Sequence, residues 1–184
     1  MISNKYIIGV VGNTGSGKDT VAKLLVSMFP TKAMSFSFSA VLREKVLAPK
    51  GIEPTRENLQ QAGLEIDREL FAEMVRESIE NQEAEMIILP GIRTKEDVAL
   101  IRSFAKNLLI AVTTGDKLCF ERMKARNEKP GEDTLTWEKF LELRQAPIEL
   151  QIGELMKQAD VIIENEGTLE ELKETVKTLI ASIA

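Results

Sequence analysis

Short, mainly apolar runs alternate along this chain with longer stretches in which apolar residues recur every three or four positions. The runs cover residues 6–11, 33–38, 86–89, 108–112 and 161–163. Met86, Ile87, Ile88 and Leu89 show the type: no polar residue interrupts them, as expected of a strand buried on both faces. The intervening stretches predict helices over residues 21–29, about 40–47, 95–104 and 116–126. Thr55 is placed to cap a helix running through Arg56, Leu59, Gln60 and Gln61 towards Gly63, and a following helix carries Leu64, Leu70, Phe71, Met74, Val75 and Ile79. A long helical stretch begins near Thr136 and is kinked or interrupted at Pro147. The last helix sets Leu169, Leu172, Val176, Leu179, Ile180 and Ile183 on one face. Turn residues make 49–54 a plain loop, and the polar, breaker-rich segment 127–133 an exposed, mobile one.

Five such strands separated by helices imply an α/β fold, a parallel doubly wound sheet with right-handed crossovers. Ligands of such sheets sit beyond the carboxyl ends of the strands. The richest connection lies there, after the first strand. Gly12, Asn13, Thr14, Gly15, Ser16, Gly17, Lys18, Asp19 and Thr20 form a glycine-rich turn leading into a helix. Strand, glycine loop and helix in that order are the context of a phosphate-binding loop, whose curled backbone aims successive N–H groups at one anion. The first turn of the helix adds unpaired donors and the positive end of its dipole. Lys18 is placed to reach the terminal phosphates of a nucleoside triphosphate. Asp19 stands where Ser or Thr usually follows the lysine, with the hydroxyl one residue later at Thr20.

Composition narrows this without redirecting it. A chain of 184 residues, 43% hydrophobic and 29% charged, suits one domain with a substantial core. The net charge of −5 argues against a protein that coats nucleic acid. With one cysteine, Cys119, there is no internal disulfide framework, and the absence of histidine removes histidine-based triads and most zinc chemistry. No stretch approaches the length of a membrane span, and the first apolar run is too short for a signal peptide, so a soluble cytoplasmic protein without membrane partners is expected. The oligomeric state has no signature here.

A triphosphate and a second anionic substrate need more positive charge than Lys18 supplies. Arg43, Arg56 and Arg93 are the acceptor-side candidates, because guanidinium forks grip phosphate in bidentate geometry. Arg93 follows a buried strand and a Pro-Gly turn, and Arg43, Arg93 and Asn165 all come shortly after predicted strands. Arg122, Arg126 and Arg144 flank the breaker-rich loop, where a closing lid would set one or more of them against a transferring phosphoryl group. Phosphoryl transfer is mostly positioning and electrostatics. An acceptor that is itself a phosphate needs no general base, whereas a hydroxyl acceptor usually calls for a carboxylate.

Together the glycine loop, short second strand, arginine-bearing helix, lid and Asn165-Glu166-Gly167-Thr168 segment resemble the nucleoside monophosphate kinase-like group of P-loop kinases. Residues 17–22 and 55–63 resemble deoxynucleoside monophosphate kinases. Residues 40–43, the overall layout and 159–165 are also similar to dephospho-coenzyme A kinases and a related archaeal family. The resemblance implies a three-layer fold with strand order 2-3-1-4-5 and a small helical lid. It also implies ATP and magnesium as cosubstrates, with adenine near Asn165 and Gly167 and Arg122 on the nucleotide side. By the same resemblance the domain is a single one, 1–184, with acceptor-side helices at 37–81, including Gln60, and a lid region at 122–146. Lys18, Asp19, Arg93 and Arg126 are its catalytic candidates, Thr20 and Asp19 its magnesium contacts, and Arg43, Arg56, Gln60, Arg93 and Arg144 its substrate contacts. Two positions depart from these families: Ala40 and Pro90-Gly91 stand where an aspartate is usual. The first departure argues against a hydroxyl acceptor; both leave open a nucleotide-binding protein with weak or no kinase activity.

Overall fold

The computed structural model describes residues 4–126 and 132–183. Its five strands, β1 (Tyr6–Val11), β2 (Ala33–Ser35), β3 (Met86–Pro90), β4 (Lys106–Thr113) and β5 (Val161–Glu164), form one sheet in the order β2-β3-β1-β4-β5. Every pairing is parallel, with Ile8 opposite Ile88 on one side and Leu108 on the other. All five carboxyl ends therefore emerge along one edge, and β1, which feeds the glycine loop, is central.

Alternation along β1 explains why no polar residue interrupts it. Ile7 and Val11 enter one core, Ile8 and Val10 the other, and all four are fully buried. The helices α1 (Lys18–Met28) and α9 (Leu169–Ile183) cover the second face through Val21, Leu25, Leu172 and Val176. The first face is covered by α3 (Arg56–Glu65), α4 (Arg68–Glu80), α5 (Lys95–Arg102) and α8 (Pro147–Met156). The result is the three-layer α/β arrangement expected. A separate small cluster joins α6 (Asp116–Arg126) to α7 (Trp137–Arg144): Cys119, Met123, Leu135 and Phe140 are buried, and the Trp137 ring stacks on Phe140 at 5.3 Å.

Several boundaries differ from expectation. The second strand stops at Ser35, and α2 (Phe38–Val41) starts with Ser37 as its cap residue. Ala40 therefore lies inside this helix, and the residue just before it is Ser37, whose hydroxyl is 2.7 Å from that of Ser39. The chain continues as a π-helical segment, Leu42–Leu47, and a 3-10 turn, Ala48–Lys50, inside the predicted loop. Thr55 caps α3 as expected, accepting the Asn58 N–H, but the helix runs past Gly63 to Glu65. Leu64 thus belongs to α3 and is 74% exposed, while Asp67 caps a separate α4. Pro147 ends the ambiguity over the long helix: it occupies the first turn of α8, where its missing N–H costs nothing.

The segment predicted as an exposed loop, 127–133, overlaps the described residues only at 132 and 133. Residues 127–131 lie outside the described residues, and Glu132 is not exposed at all but 5% accessible, paired to Arg126 at 2.7 Å. Its charge is carried inward by that partner, which hydropathy along the chain does not reveal.

Candidate functional site

Gly12 to Thr20 leave the carboxyl end of β1 and enter α1 at Lys18. Gly15 and Gly17 both adopt φ of +88°, a region L-side chains rarely enter. Each is also hemmed in: a Cβ on Gly15 would meet the Cys119 carbonyl oxygen at 2.8 Å, and one on Gly17 would collide with the Asn165 carboxamide. A Cβ on Gly12 would meet Val112 O at 2.7 Å. The loop is therefore bare backbone by necessity, closely backed by β4, α6 and the end of β5.

Its rear wall is a hydrogen-bonded buttress. The Asn165 amide nitrogen donates to Ser16 O at 2.8 Å, and the Thr114 hydroxyl lies 3.0 Å from Ser16 O and 3.1 Å from Asn165 O. Asn165 is 5% exposed. Arg122 caps the same strand end, donating to the carbonyls of Asn165 at 3.0 Å and Gly167 at 3.2 Å. Asn165, Gly167 and Arg122, the residues expected on the nucleotide side, are joined to one another behind the loop, with the Asn165 carboxamide and Arg122 guanidinium engaged chiefly by main-chain carbonyls. Among the described residues, the buried Ser16 hydroxyl finds no hydrogen-bond partner.

The open side carries Lys18, whose ammonium sits 3.5 Å from the Asp19 carboxylate; Asp19 is largely exposed and Thr20 half-buried. A bare, left-handed glycine loop at a helix start suits a polyphosphate. Asp19 and Thr20 are the hard oxygen donors beside it that suit magnesium.

Glu149, which sequence reasoning missed, lies across the mouth of this loop. From the first turn of α8, its carboxylate accepts the Asn13 carboxamide at 2.8 Å, the Thr14 hydroxyl at 2.8 Å and the Thr14 N–H at 3.2 Å. Arg144, at the end of α7, pairs with Glu149 at 3.1 Å and with Asp116 at 2.9 Å, and its guanidinium covers the Phe140 ring. Burial works against charge on Glu149, but the Asn13 and Thr14 donors and the Arg144 guanidinium outweigh it and hold its pKa below the usual carboxylate value. The only signal in the sequence was an arginine and a glutamate five residues apart on either side of Pro147.

The acceptor-side arginines are less gathered. Arg93 is exposed just after β3; its N–H donates to Asp97, and its side chain makes no ion pair among the described residues. Asp97 ties the Pro90–Arg93 turn to α5 through a capping box with Thr94. Burial pushes the Asp97 pKa up, against those N–H and hydroxyl donors and Arg68 nearby. Arg43 and Gln60 are exposed, on the π-helical segment and on α3, and among the described residues no hydrogen bond links either to the phosphate loop. Arg56 opens α3; its side chain lies outside what the structure describes. Arg126 grips Glu132 with two nitrogens rather than pointing with Arg122.

Five parallel strands in this order, with a glycine loop leading from the central strand into a helix, define a kinase-like P-loop α/β protein. The chain belongs to the AAA domain family, whose model matches residues 8–146, and to the UPF0200 proteins. It is 34% identical over 176 residues to the UPF0200 protein of Aeropyrum pernix, covering 92% of this chain and 89% of that one. The UPF0200 protein of Hyperthermus butylicus is 29% identical, with 98% and 96% covered. Among solved structures, TT1252 from Thermus thermophilus superposes with a TM-score of 0.56 at 25% identity, over 98% of both chains. Shikimate kinase from Acinetobacter baumannii, in complex with shikimate, shares the fold with a TM-score of 0.59 at 16% identity, over 98% of this chain and 95% of that one.

Proposed function

We propose that this protein is an ATP-dependent kinase for a small phosphorylated acceptor, with a nucleoside or deoxynucleoside monophosphate as the leading substrate class. The observation that carries the reading is the loop itself: two left-handed glycines open α1 at Lys18, beyond the carboxyl end of the central strand. In this reading the loop amides and Lys18 hold the polyphosphate, and Asp19 and Thr20 face its magnesium. Arg43, Arg56, Gln60 and Arg93 serve the acceptor, with Arg122, Arg126 and Arg144 on the lid side. Residues 37–81, the acceptor-side helices, and 122–146, the lid region, are insertions in one domain. Magnesium and ATP would supply the transferable phosphoryl group and its charge neutralisation; the chain's part is to orient, neutralise and exclude water.

An acceptor that is already ionised fits a site with no carboxylate at the end of β3, where Pro90 and Gly91 stand. Dephospho-coenzyme A, a hydroxyl acceptor, is the alternative drawn from the sequence resemblance. A nucleotide-binding protein with little turnover is the other, and the carboxylate of Glu149 across the loop favours it.

A coupled ADP-release assay over nucleoside monophosphates, deoxynucleoside monophosphates and dephospho-coenzyme A tests the order. Turnover with monophosphates is the expected result. Turnover with dephospho-coenzyme A alone would reverse the ranking, and ATP binding without turnover on any acceptor would leave the non-catalytic reading.

A further inference from the structure

Glu149 makes the contacts of an anion. Thr14 N–H belongs to the phosphate loop, and the Thr14 hydroxyl and Asn13 carboxamide project from the same turn. All three donate to one carboxylate, and the Asn13 carboxamide nitrogen also donates to the Glu149 main-chain carbonyl at 3.2 Å. These are charge-assisted hydrogen bonds, roughly twice as strong as neutral ones. The glutamate is held there by more than the loop. It sits in the first turn of α8, where the helix dipole favours negative charge. Arg144, with a side chain only 10% exposed, locks it to Asp116 on α6.

We propose that Glu149 is an internal substitute for phosphate, a latch that closes the loop in the resting protein and must leave before a nucleotide's polyphosphate can bind. This rests on the nucleotide reading of the loop. The logic is one of exchange. A carboxylate and a triphosphate repel each other, and both cannot use the Thr14 N–H. Departure of Glu149 frees the loop donors and the Arg144 nitrogen that held it, while Asp116 keeps Arg144 beside the loop. Glu149 is tied through Arg144 to the Phe140 ring, on which Trp137 stacks. Opening the latch therefore changes the surroundings of the chain's single tryptophan.

The test is the affinity for ATP with magnesium, by calorimetry, together with Trp137 emission, for the wild type, Glu149→Asp and Glu149→Gln. Glu149→Asp keeps the charge but withdraws it by one methylene; Glu149→Gln keeps the length but removes the charge. Both variants are expected to bind about tenfold tighter than the wild type, equivalent to about 1.4 kcal/mol. Ligand-free Glu149→Asp and Glu149→Gln should also show much of the emission change that ATP produces in the wild type. Wild-type affinity in Glu149→Asp, with tightening only in Glu149→Gln, would reduce the effect to bare charge and overturn the latch. Unchanged or weaker binding in every variant overturns it too, while wild-type binding keeps the nucleotide reading. Absence of binding in the wild type and all variants overturns the nucleotide reading, and the latch with it.

Discussion

Replacing Gly17 by alanine measures how far the loop depends on being bare. Two separate penalties fall on that residue. Its φ of +88° costs an L-residue roughly 1–2 kcal/mol. Its new Cβ would also collide with the Asn165 carboxamide, forcing that side chain off its 2.8 Å hydrogen bond to Ser16 O. A buried polar group left unpaired costs about 1–3 kcal/mol more. The sum is about 2–5 kcal/mol, a large share of the stability of an ordinary domain. Urea denaturation of wild type, Gly17→Ala, Asn165→Ala and the double variant separates the two penalties, provided the slopes stay constant. With Asn165 shortened the collision disappears, so Gly17→Ala should then cost only the backbone share, about 1–2 kcal/mol. The expected coupling is thus about 1–3 kcal/mol, the share assigned to the carboxamide. Equal costs of Gly17→Ala in both backgrounds would refute the buttress, leaving strain alone.

Three further outcomes follow from the same geometry. Ile79→Ala, at a fully buried position facing the sheet, should destabilise by about 2–5 kcal/mol, whereas Leu64→Glu, at an exposed one, should stay within about 0.5 kcal/mol; similar losses in urea for both would contradict the helix boundary at Glu65. The Arg102 hydrogen bonds, at 2.7 and 2.9 Å, and the Leu109 N–H hold the Asp160 carboxyl below the usual carboxylate pKa. Its folded pKa is depressed, so its stabilisation is complete above about pH 4, the ordinary unfolded value, and is lost as pH falls through the folded one. Denaturation of wild type and Asp160→Asn across pH should show a gap at pH 7 that closes in acid; a gap that widens in acid would reverse the sign. Phe140→Ala removes the ring under Arg144 and beside Trp137, so emission should shift to the red and the domain lose about 3–5 kcal/mol; an unchanged spectrum would deny the packing.

How much of this was legible in the sequence depends on the range of the interaction. The strands were, because burial on both faces leaves an unbroken apolar run such as Met86 to Leu89, and the glycine loop was, because its conformation demands glycine at set spacing. Thr55 and the Pro147 break followed from local backbone chemistry. Ala40 and Leu64 were misplaced because the ends of α2 and α3, after Ser37 and at Glu65, fall within the few residues by which periodicity blurs a boundary. Glu132 defeated a polarity argument because one arginine, Arg126, allows a carboxylate to be buried. Glu149 was out of reach for a different reason. Its partners, Asn13 and Thr14, are 136 and 135 residues away, and only the fold brings α8 to the loop.

The most direct test of the central claim, that this loop grips a polyphosphate, is the thermal midpoint with ATP and magnesium for the wild type and Lys18→Ala. A ligand that binds only the folded state must raise the midpoint, by an amount set by its concentration over its Kd. The account predicts a rise for the wild type that grows with ATP and is abolished in Lys18→Ala. An equal rise in both proteins, or none in the wild type at millimolar ATP, would contradict it.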